Sequence, residues 1–454
     1  MVANEFKEEF RMAEQYDVVV IGGGPAGNAM ASGLKAQGKI VLIVEADLWG
    51  GTCPNRGCDP KKILLSAVEA RQAAQHLQGQ GLIGAPKIDW PALMAHKRGY
   101  TDGINDGTLN GLKGQDIATL HGQAHFQSDN QLAVGDRVVS ATDYVIATGQ
   151  RPAVLPITGN EYFKTSTDFL DLDQMPKRVT FVGGGYVGFE LATIANAAGA
   201  DVHVIHHNDR PLKAFDADLV KDLMAAMTAD GITFDLNTDV QAITKTATGL
   251  QLTADNFELT TDLVISSAGR IPNADQLGLA NVGVTFDRHG IQVNDHLQTA
   301  NPHIYAIGDV SDTPVPKLTP VAGFEARYLV GELTHPSAAI KYPVVPTQVF
   351  AAPKLAQVGI SAAAATEHPD EYRVNTLDMT KWFTYYRFGA QQAQAKVVVA
   401  KASGQVVGAT LLSDVADEMI NYFTLLIEKH VTLPDLQRLV LAYPTPASDL
   451  QYLY

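Results

Sequence analysis

The sequence predicts an α/β chain with two dinucleotide-binding halves followed by a C-terminal α+β domain. Two observations carry most of this. An apolar strand pattern, a glycine-rich turn, a small-residue helix and a second strand pattern occur at residues 16–45, then again at residues 179–205, about 160 residues further on. Beyond Tyr342 the character changes, with prolines at 343, 346 and 353, β-rich stretches at Lys396–Ala400 and Val406–Leu412, and an apolar helix pattern at Ala416–Glu428. At 454 residues the chain exceeds one hydrophobic core, so about two to four domains are expected.

Composition narrows the function classes. Apolar content of 46% and charged content of 18% are those of a folded chain. A formal charge of −15 argues against nucleic acid as a partner, because phosphate affinity needs basic patches. Met1 to Gln15 carry mixed charge and no apolar core, which is not a secretory signal. No apolar run approaches a membrane span. With two cysteines and no export signal, a reducing cytoplasm is expected, where a disulfide persists only if it is catalytic or regulatory.

In order along the chain, Tyr16–Ile21 reads as a buried strand and Gly22-Gly23-Gly24-Pro25-Ala26-Gly27 as the turn. A helix then runs to about Gln37, and a strand covers Ile40–Val44 and ends at Glu45. This is a Rossmann-like fingerprint in context. Gly22 makes the tight turn, Gly24 lets the backbone approach a pyrophosphate, and Gly27 lets helix pack on strand. Glu45 stands where a carboxylate takes a ribose 2′-OH.

Directly after it comes Gly50-Gly51-Thr52-Cys53-Pro54-Asn55-Arg56-Gly57-Cys58-Asp59-Pro60-Lys61-Lys62, which holds both cysteines of the chain. A closed zinc site needs four ligands, and no second Cys/His pair lies nearby. What remains is a dithiol that cycles with its own disulfide, or two buried thiols. Helical periodicity from Lys61 places Cys58 just ahead of a helix N-terminus, which together with lysines lowers a thiol pKa. Residues from about Gln72 to Val139 read as a broken helical pattern leading into a β-meander.

Tyr144–Gly149 reads as a strand ending at a small-residue turn. The second fingerprint follows, with strand Val179–Val182, turn Gly183-Gly184-Gly185-Tyr186-Val187-Gly188, helix Phe189–Ala198 and strand Asp201–Ile205. Two such units imply two nucleotide cofactors that exchange electrons. The second strand tip lacks a carboxylate, and His206, Arg210 and Lys213 follow it. That pattern favours NADPH, whose 2′-phosphate needs cations, while Asp209 keeps NADH open. Leu263–Asn273, with Gly269, closes this half. Ile304–Val310 reads as a strand ending in Gly308-Asp309, which presents one carboxylate to a sugar hydroxyl.

These motifs resemble the flavoprotein (pyridine nucleotide) disulfide reductases, the family of glutathione reductase, dihydrolipoamide dehydrogenase and mercuric reductase. Gly-Gly-Thr-Cys-x4-Cys-x-Pro-Lys-Lys is similar to that family's redox-active segment, and Ala147-Thr148-Gly149 to its domain crossing. Gly308-Asp309 and Leu318-Thr319-Pro320-Val321-Ala322 are similar to its second flavin motif. The resemblance covers nearly the whole chain from Tyr16. It implies FAD on the first half and a nicotinamide on the second. In domain terms it implies an FAD-binding domain at 1–150 and 274–340, split by a nicotinamide-binding domain at 151–273, with a dimerisation domain at 341–454 and a homodimer. By position, Cys58 is the flavin-contacting thiol and Cys53 the interchange thiol. Lys61 pairs with Glu190, Tyr186 covers the flavin, and Gly51, Thr52, Thr148, Gly149, Asp309, Thr319 and Ala322 line it. No resident metal is implied.

One segment departs from the pattern. Where the family has His-Pro-Thr-x-x-Glu, this chain has Tyr443-Pro444-Thr445-Pro446-Ala447-Ser448, so both members of the acid/base pair are replaced. A phenol, with an ordinary pKa of about 10, donates a proton but is a poor base near neutrality. Mercuric reductases share the tyrosine but carry extra C-terminal cysteines, which this chain lacks. Ser32 stands where glutathione reductases place a substrate-binding arginine. The expectation is an FAD-dependent NAD(P)H oxidoreductase passing electrons through Cys53–Cys58 to a small disulfide other than glutathione. Reduction of a thiophilic metal ion or oxidant is the alternative, and a flavin redox sensor without turnover is a second one.

Overall fold

The computed structural model describes residues 14–336 and 338–454. The segment read above as lacking a secretory signal lies almost wholly outside them. The chain forms two compact units that interleave along the sequence. One comprises the residues up to Asn55, Gly103–Arg151 and Ile271–Ile340; the other comprises Arg56–Asp102, Pro152–Arg270 and Lys341–Tyr454.

In the first unit, strand Glu14–Ile21 lies in the middle of a mainly parallel sheet, between Val41–Glu45 and Arg137–Ile146. Strand Ala118–His121 flanks Val41–Glu45, and Ile304–Ala306 adds in parallel to Ile146's strand. The registers are flush: Ile21 is opposite Val44 and Ile146, and Ile146 is opposite Ala306. Four loops therefore leave the sheet at one carboxyl edge, the edge where open α/β sheets bind ligands. The central strands are near-continuous runs of Val, Ile and Leu because both faces are covered, one by helices and the other by residues of the antiparallel meander with Leu277, Leu279 and Val282. Helix Pro25–Ala36 packs on it through Ala26, Met30, Ala31 and Leu34, and helix Thr319–Thr334 packs beside it. The expected meander is present as Ala124–Ser128, Gln131–Val134 and Arg137–Val139, paired antiparallel.

In the second unit, a four-stranded parallel sheet has the order Ile232–Asp235, Asp201–Ile205, Arg178–Val182, Leu263–Ser266. Helix Tyr186–Ala197 lies on it, almost wholly buried, and helix Cys58–His76 shares its core through Leu64, Leu65 and Val68. The same unit holds the C-terminal α+β element, an antiparallel five-stranded sheet backed by helix Ala416–Glu428. The α/β class is thus realised, with a duplicated Rossmann-like unit and an α+β C-terminus.

Two local expectations need correction. Cys58 is not ahead of its helix but is its first residue, with Gly57 as N-cap. Cys53 lies in a separate short helix, Thr52–Arg56, that the sequence pattern did not suggest.

Candidate active site

The first glycine turn is built by close approach. Gly22 has φ +115°, and a Cβ there would lie 2.3 Å from the Ala147 carbonyl oxygen. At Gly27 a Cβ would lie 1.8 Å from the Gly22 carbonyl oxygen, so any side chain would push helix from strand. Gly24 caps helix Pro25–Ala36, leaving the N–H groups of its first turn to face an anion. The Glu45 carboxylate accepts from Gly23 N at 2.6 Å and from Asp47 N at 2.7 Å, tying the turn to the strand tip.

Gly51 and Thr52 are brought to the same turn. Gly50 N donates to Gly23 O at 2.9 Å, and a Cβ on Gly51 would lie 2.5 Å from the Gly24 Cα. Asn55 Nδ2 then donates to the carbonyls of Trp49 and Gly51, at 3.0 and 2.8 Å, folding the Cys53 helix back on its own entry. Cys53 is partly exposed there. At the neighbouring strand ends, Thr148 Oγ1 donates to Asn273 O at 2.7 Å, and Asn273 N donates to Gly149 O at 2.9 Å. Gly308 packs near Ala26 and Ala322, and Asp309 follows it, partly exposed.

A flavin nucleotide suits these residues. Asn28 donates through Nδ2 to Gly23 O at 2.8 Å, while its buried Oδ1 has no partner among the described residues. A helix N-terminus, a side-chain-free cradle and an unused buried acceptor on one turn are what a dinucleotide with hydroxyl and phosphate groups requires.

In the second unit, Cys58 is exposed at the first position of a 19-residue helix. One turn on, the Lys61 ammonium is ion-paired with Glu190, whose side chain is 2% exposed. Burial alone would lower the Lys61 pKa; the Glu190 charge and hydrogen bond outweigh it and hold the group above its ordinary value. The other Glu190 oxygen accepts from Phe350 N at 2.8 Å, so the carboxylate is satisfied on both sides. Lys61 Nζ also lies 5.7 Å from the centre of the Tyr186 ring. Sequence reading missed Phe350, and counted Lys62 only among the lysines near Cys58. Lys62 Nζ sits 3.5 Å from the Phe350 ring centre, and burial lowers its pKa to about 8.

The second glycine turn repeats the first. Gly183 has φ +118°, and a Cβ on Gly188 would lie 2.6 Å from the Gly183 carbonyl oxygen. Gly185 is the N-cap of helix Tyr186–Ala197. Ser267 Oγ donates to Gly183 O at 2.7 Å, bringing the loop that contains Gly269 beside the turn. Gly184 N donates to His206 Nδ1 at 3.1 Å, the same 22-residue spacing as Gly23 to Glu45. Burial, with the adjacent His207, keeps His206 below the ordinary histidine pKa, so a neutral ring occupies the acid's place. Arg210 does not extend outward. Its guanidinium donates to the carbonyls of Pro211 and Phe215 within its own loop. Lys213 is exposed.

Tyr443 is 73% exposed and stacks on Phe383, with ring centres 6.2 Å apart and 17° between planes. Among the described residues, Ser448 makes no contact of the kind the absent glutamate would supply. Its hydroxyl donates to Thr445 O at 2.6 Å and accepts from Thr445 N at 3.3 Å, the latter closing a cap on the final 3-10 helix. Among the described residues no group of three or more His, Cys, Asp or Glu side chains could hold a metal ion, and no helix is long and apolar enough to cross a membrane.

Comparison with known proteins agrees with this geometry. Residues 16–326 match the pyridine nucleotide-disulphide oxidoreductase family model, and residues 345–453 match that family's dimerisation domain, which supports a homodimer. The chain is 32% identical to glutathione reductase of Burkholderia cepacia over 440 residues, covering 96% of this chain and 97% of that protein. It is 30% identical to dihydrolipoyl dehydrogenase of Chlamydia muridarum over 446 residues, covering 96% and 95%. Among solved structures it is similar to the HOCl-induced flavoprotein disulfide reductase RclA from Escherichia coli, with TM-score 0.87, 25% identity and coverage of 96% and 99%. A Cu(II) complex of that protein gives TM-score 0.88 at 25% identity, covering 97% and 99%. The chain therefore belongs to the pyridine nucleotide-disulphide oxidoreductase family and is a flavoprotein oxidoreductase that uses FAD and NAD(P)H.

Proposed function

We propose that the Cys53–Cys58 dithiol of this enzyme reduces a small-molecule disulfide other than glutathione, with NADPH as the preferred reductant. The observation that carries the reading is the second cysteine's place at the head of a long helix, one turn before the buried Lys61–Glu190 pair. FAD, when bound, supplies the two-electron chemistry that links the nicotinamide to the dithiol.

The protein's own part is thiol chemistry. The helix N-terminus and the two lysines favour the thiolate form of Cys58. The Cys53 thiolate attacks one sulfur of the acceptor disulfide, forming a mixed disulfide and releasing the first thiolate product. Cys58 then attacks Cys53, releasing the second thiolate and leaving Cys53–Cys58 oxidised. Each leaving thiolate takes one proton; the resemblance implies that Tyr443, at the family's acid position, donates it and is reprotonated from solvent each time. His206 favours NADPH because its neutral ring fills the acid's hydrogen bond without a charge that would repel a 2′-phosphate.

A second reading is reduction of a thiophilic metal ion. Two features favour it: Tyr443 in place of histidine, and the Cu(II) complex known for the Escherichia coli relative. A dithiolate delivering electrons to a bound metal ion needs no acid. The test is NADPH oxidation by the holoenzyme against glutathione disulfide, lipoamide, other small disulfides, Hg(II) and Cu(II), with Cys53→Ser and Cys58→Ser as controls. Turnover of one disulfide other than glutathione, lost in both variants, is the expected result. Cysteine-dependent turnover confined to metal ions overturns the disulfide reading, and a flavin that stays oxidised under excess NADPH indicates a sensor.

A further inference from the structure

Glu325 is a buried ionisable group that the thiol chemistry leaves unused. It lies on helix Thr319–Thr334 and is 0% exposed, on a face otherwise made of Val321, Ala322, Ala326 and Leu329. A carboxylate in such a place is tolerated only when donors satisfy it. Two of its donors come from a single turn. Gly308 N donates to Oε2 at 2.6 Å, and Thr313 Oγ1 donates to Oε1 at 3.2 Å.

That turn is held from several sides. Ile307 N donates to Ile146 O at 3.0 Å, and Ser311 Oγ donates to Gly308 O at 2.8 Å. The Lys317 ammonium donates to Ser311 O, and burial lowers its pKa while the nearby Glu325, Asp312 and Asp309 charges oppose the shift. Gly308 has φ +71°, and a Cβ there would lie 3.2 Å from the Cβ of Ala26, in the first turn of the helix that follows the first glycine turn. The carboxylate of Glu325 thus fixes a left-handed turn against the helix start where the dinucleotide's phosphates are expected.

We infer that Glu325 is a positioning residue for the flavin, acting through Asp309. It locks the Gly308 turn in the one conformation that presents the next carboxylate to the flavin's sugar-alcohol chain. The inference rests on the assignment of Asp309 to that chain. A hydrogen bond to a buried carboxylate is stronger than one between neutral groups, so its loss releases the turn.

The test follows FAD leaving the holoenzyme, read as recovery of free flavin fluorescence, in Glu325→Ala, Glu325→Gln, Asp309→Ala and the Glu325→Ala/Asp309→Ala pair. Glu325→Ala is expected to release FAD about ten- to a hundredfold faster. Glu325→Gln, whose amide oxygen still accepts from Gly308 N, stays within about threefold of the unaltered protein. Because one residue acts through the other, the pair releases FAD no faster than the faster single variant. Unchanged release in Glu325→Ala, equal release in the Gln and Ala variants, or multiplied effects in the pair overturns the inference. Unchanged release in Asp309→Ala overturns it too, and places the error in the Asp309 assignment. Should Glu325→Ala not fold, Thr313→Val removes only the Thr313 donor; release about threefold faster supports the inference, and unchanged release overturns it.

Discussion

Replacing Glu190 by glutamine removes one charge from a buried pair and leaves the Lys61 ammonium facing an amide. Glu190 is 2% exposed and Lys61 13% exposed, so water does little to screen what remains. Breaking such a pair from one side costs about 3–5 kcal/mol near neutrality. The sign with pH follows from Lys61. In the unaltered protein its pKa lies above 10.5, so the pair's contribution is complete below that value and is lost only as pH rises through the raised pKa. In the variant, desolvation, the largest single influence, is expected to outweigh the Cys58 and Tyr186 charges that still favour the ammonium and to carry the pKa below 10.5. The penalty is then full below the lowered pKa and fades as pH climbs toward 10.5. In that window the stability gap between the two proteins closes by up to about 1.4 kcal/mol per pH unit. Urea unfolding of both holo proteins from neutrality to about pH 10, followed by tryptophan fluorescence, measures it. A gap below about 1 kcal/mol at neutrality, or one that stays constant as pH rises, refutes the reasoning.

Gly27→Ala places a methyl group 1.8 Å from the Gly22 carbonyl oxygen, so the protein is expected to purify with little FAD, measured as the ratio of visible to ultraviolet absorbance. His206→Glu restores an acid at the second strand tip. The KM for NADPH should rise about tenfold or more and that for NADH should fall, as measured in steady-state kinetics with each nucleotide.

The backbone of this protein was legible wherever hydrophobic periodicity was long. The helix Ala416–Glu428 and the strand Asp201–Ile205 fall at the residues their patterns predict. The start of the dithiol helix was not, because Cys58, Asp59 and Pro60 carry no apolar period, and Gly57 marks the boundary only by its cap geometry. The helix Ile104–Gly114 was blurred by Gly107 and Gly111. At the site, Lys61 and Glu190 could be paired from the motif, although 129 residues separate them. Phe350 could not, since its contribution is a backbone N–H that any residue supplies. Glu325 reads in sequence as an ordinary helix glutamate, and only the fold shows that it faces Gly308. Arg210 was expected to face a phosphate, yet the carbonyls of Pro211 and Phe215 are closer partners.

The seam between the two glycine pairs, Gly23-Gly24 and Gly50-Gly51, has a thermodynamic consequence. The chain entering the Cys53 helix hangs on the Gly23 carbonyl, and the same turn is the one proposed to take the dinucleotide. Linkage works in both directions, so a ligand that steadies the turn steadies the cysteine's approach by the same free energy, and disorder in that approach weakens the ligand equally. If the dinucleotide docks there as proposed, taking up the cofactor and steadying the Cys53 thiol are two faces of one equilibrium.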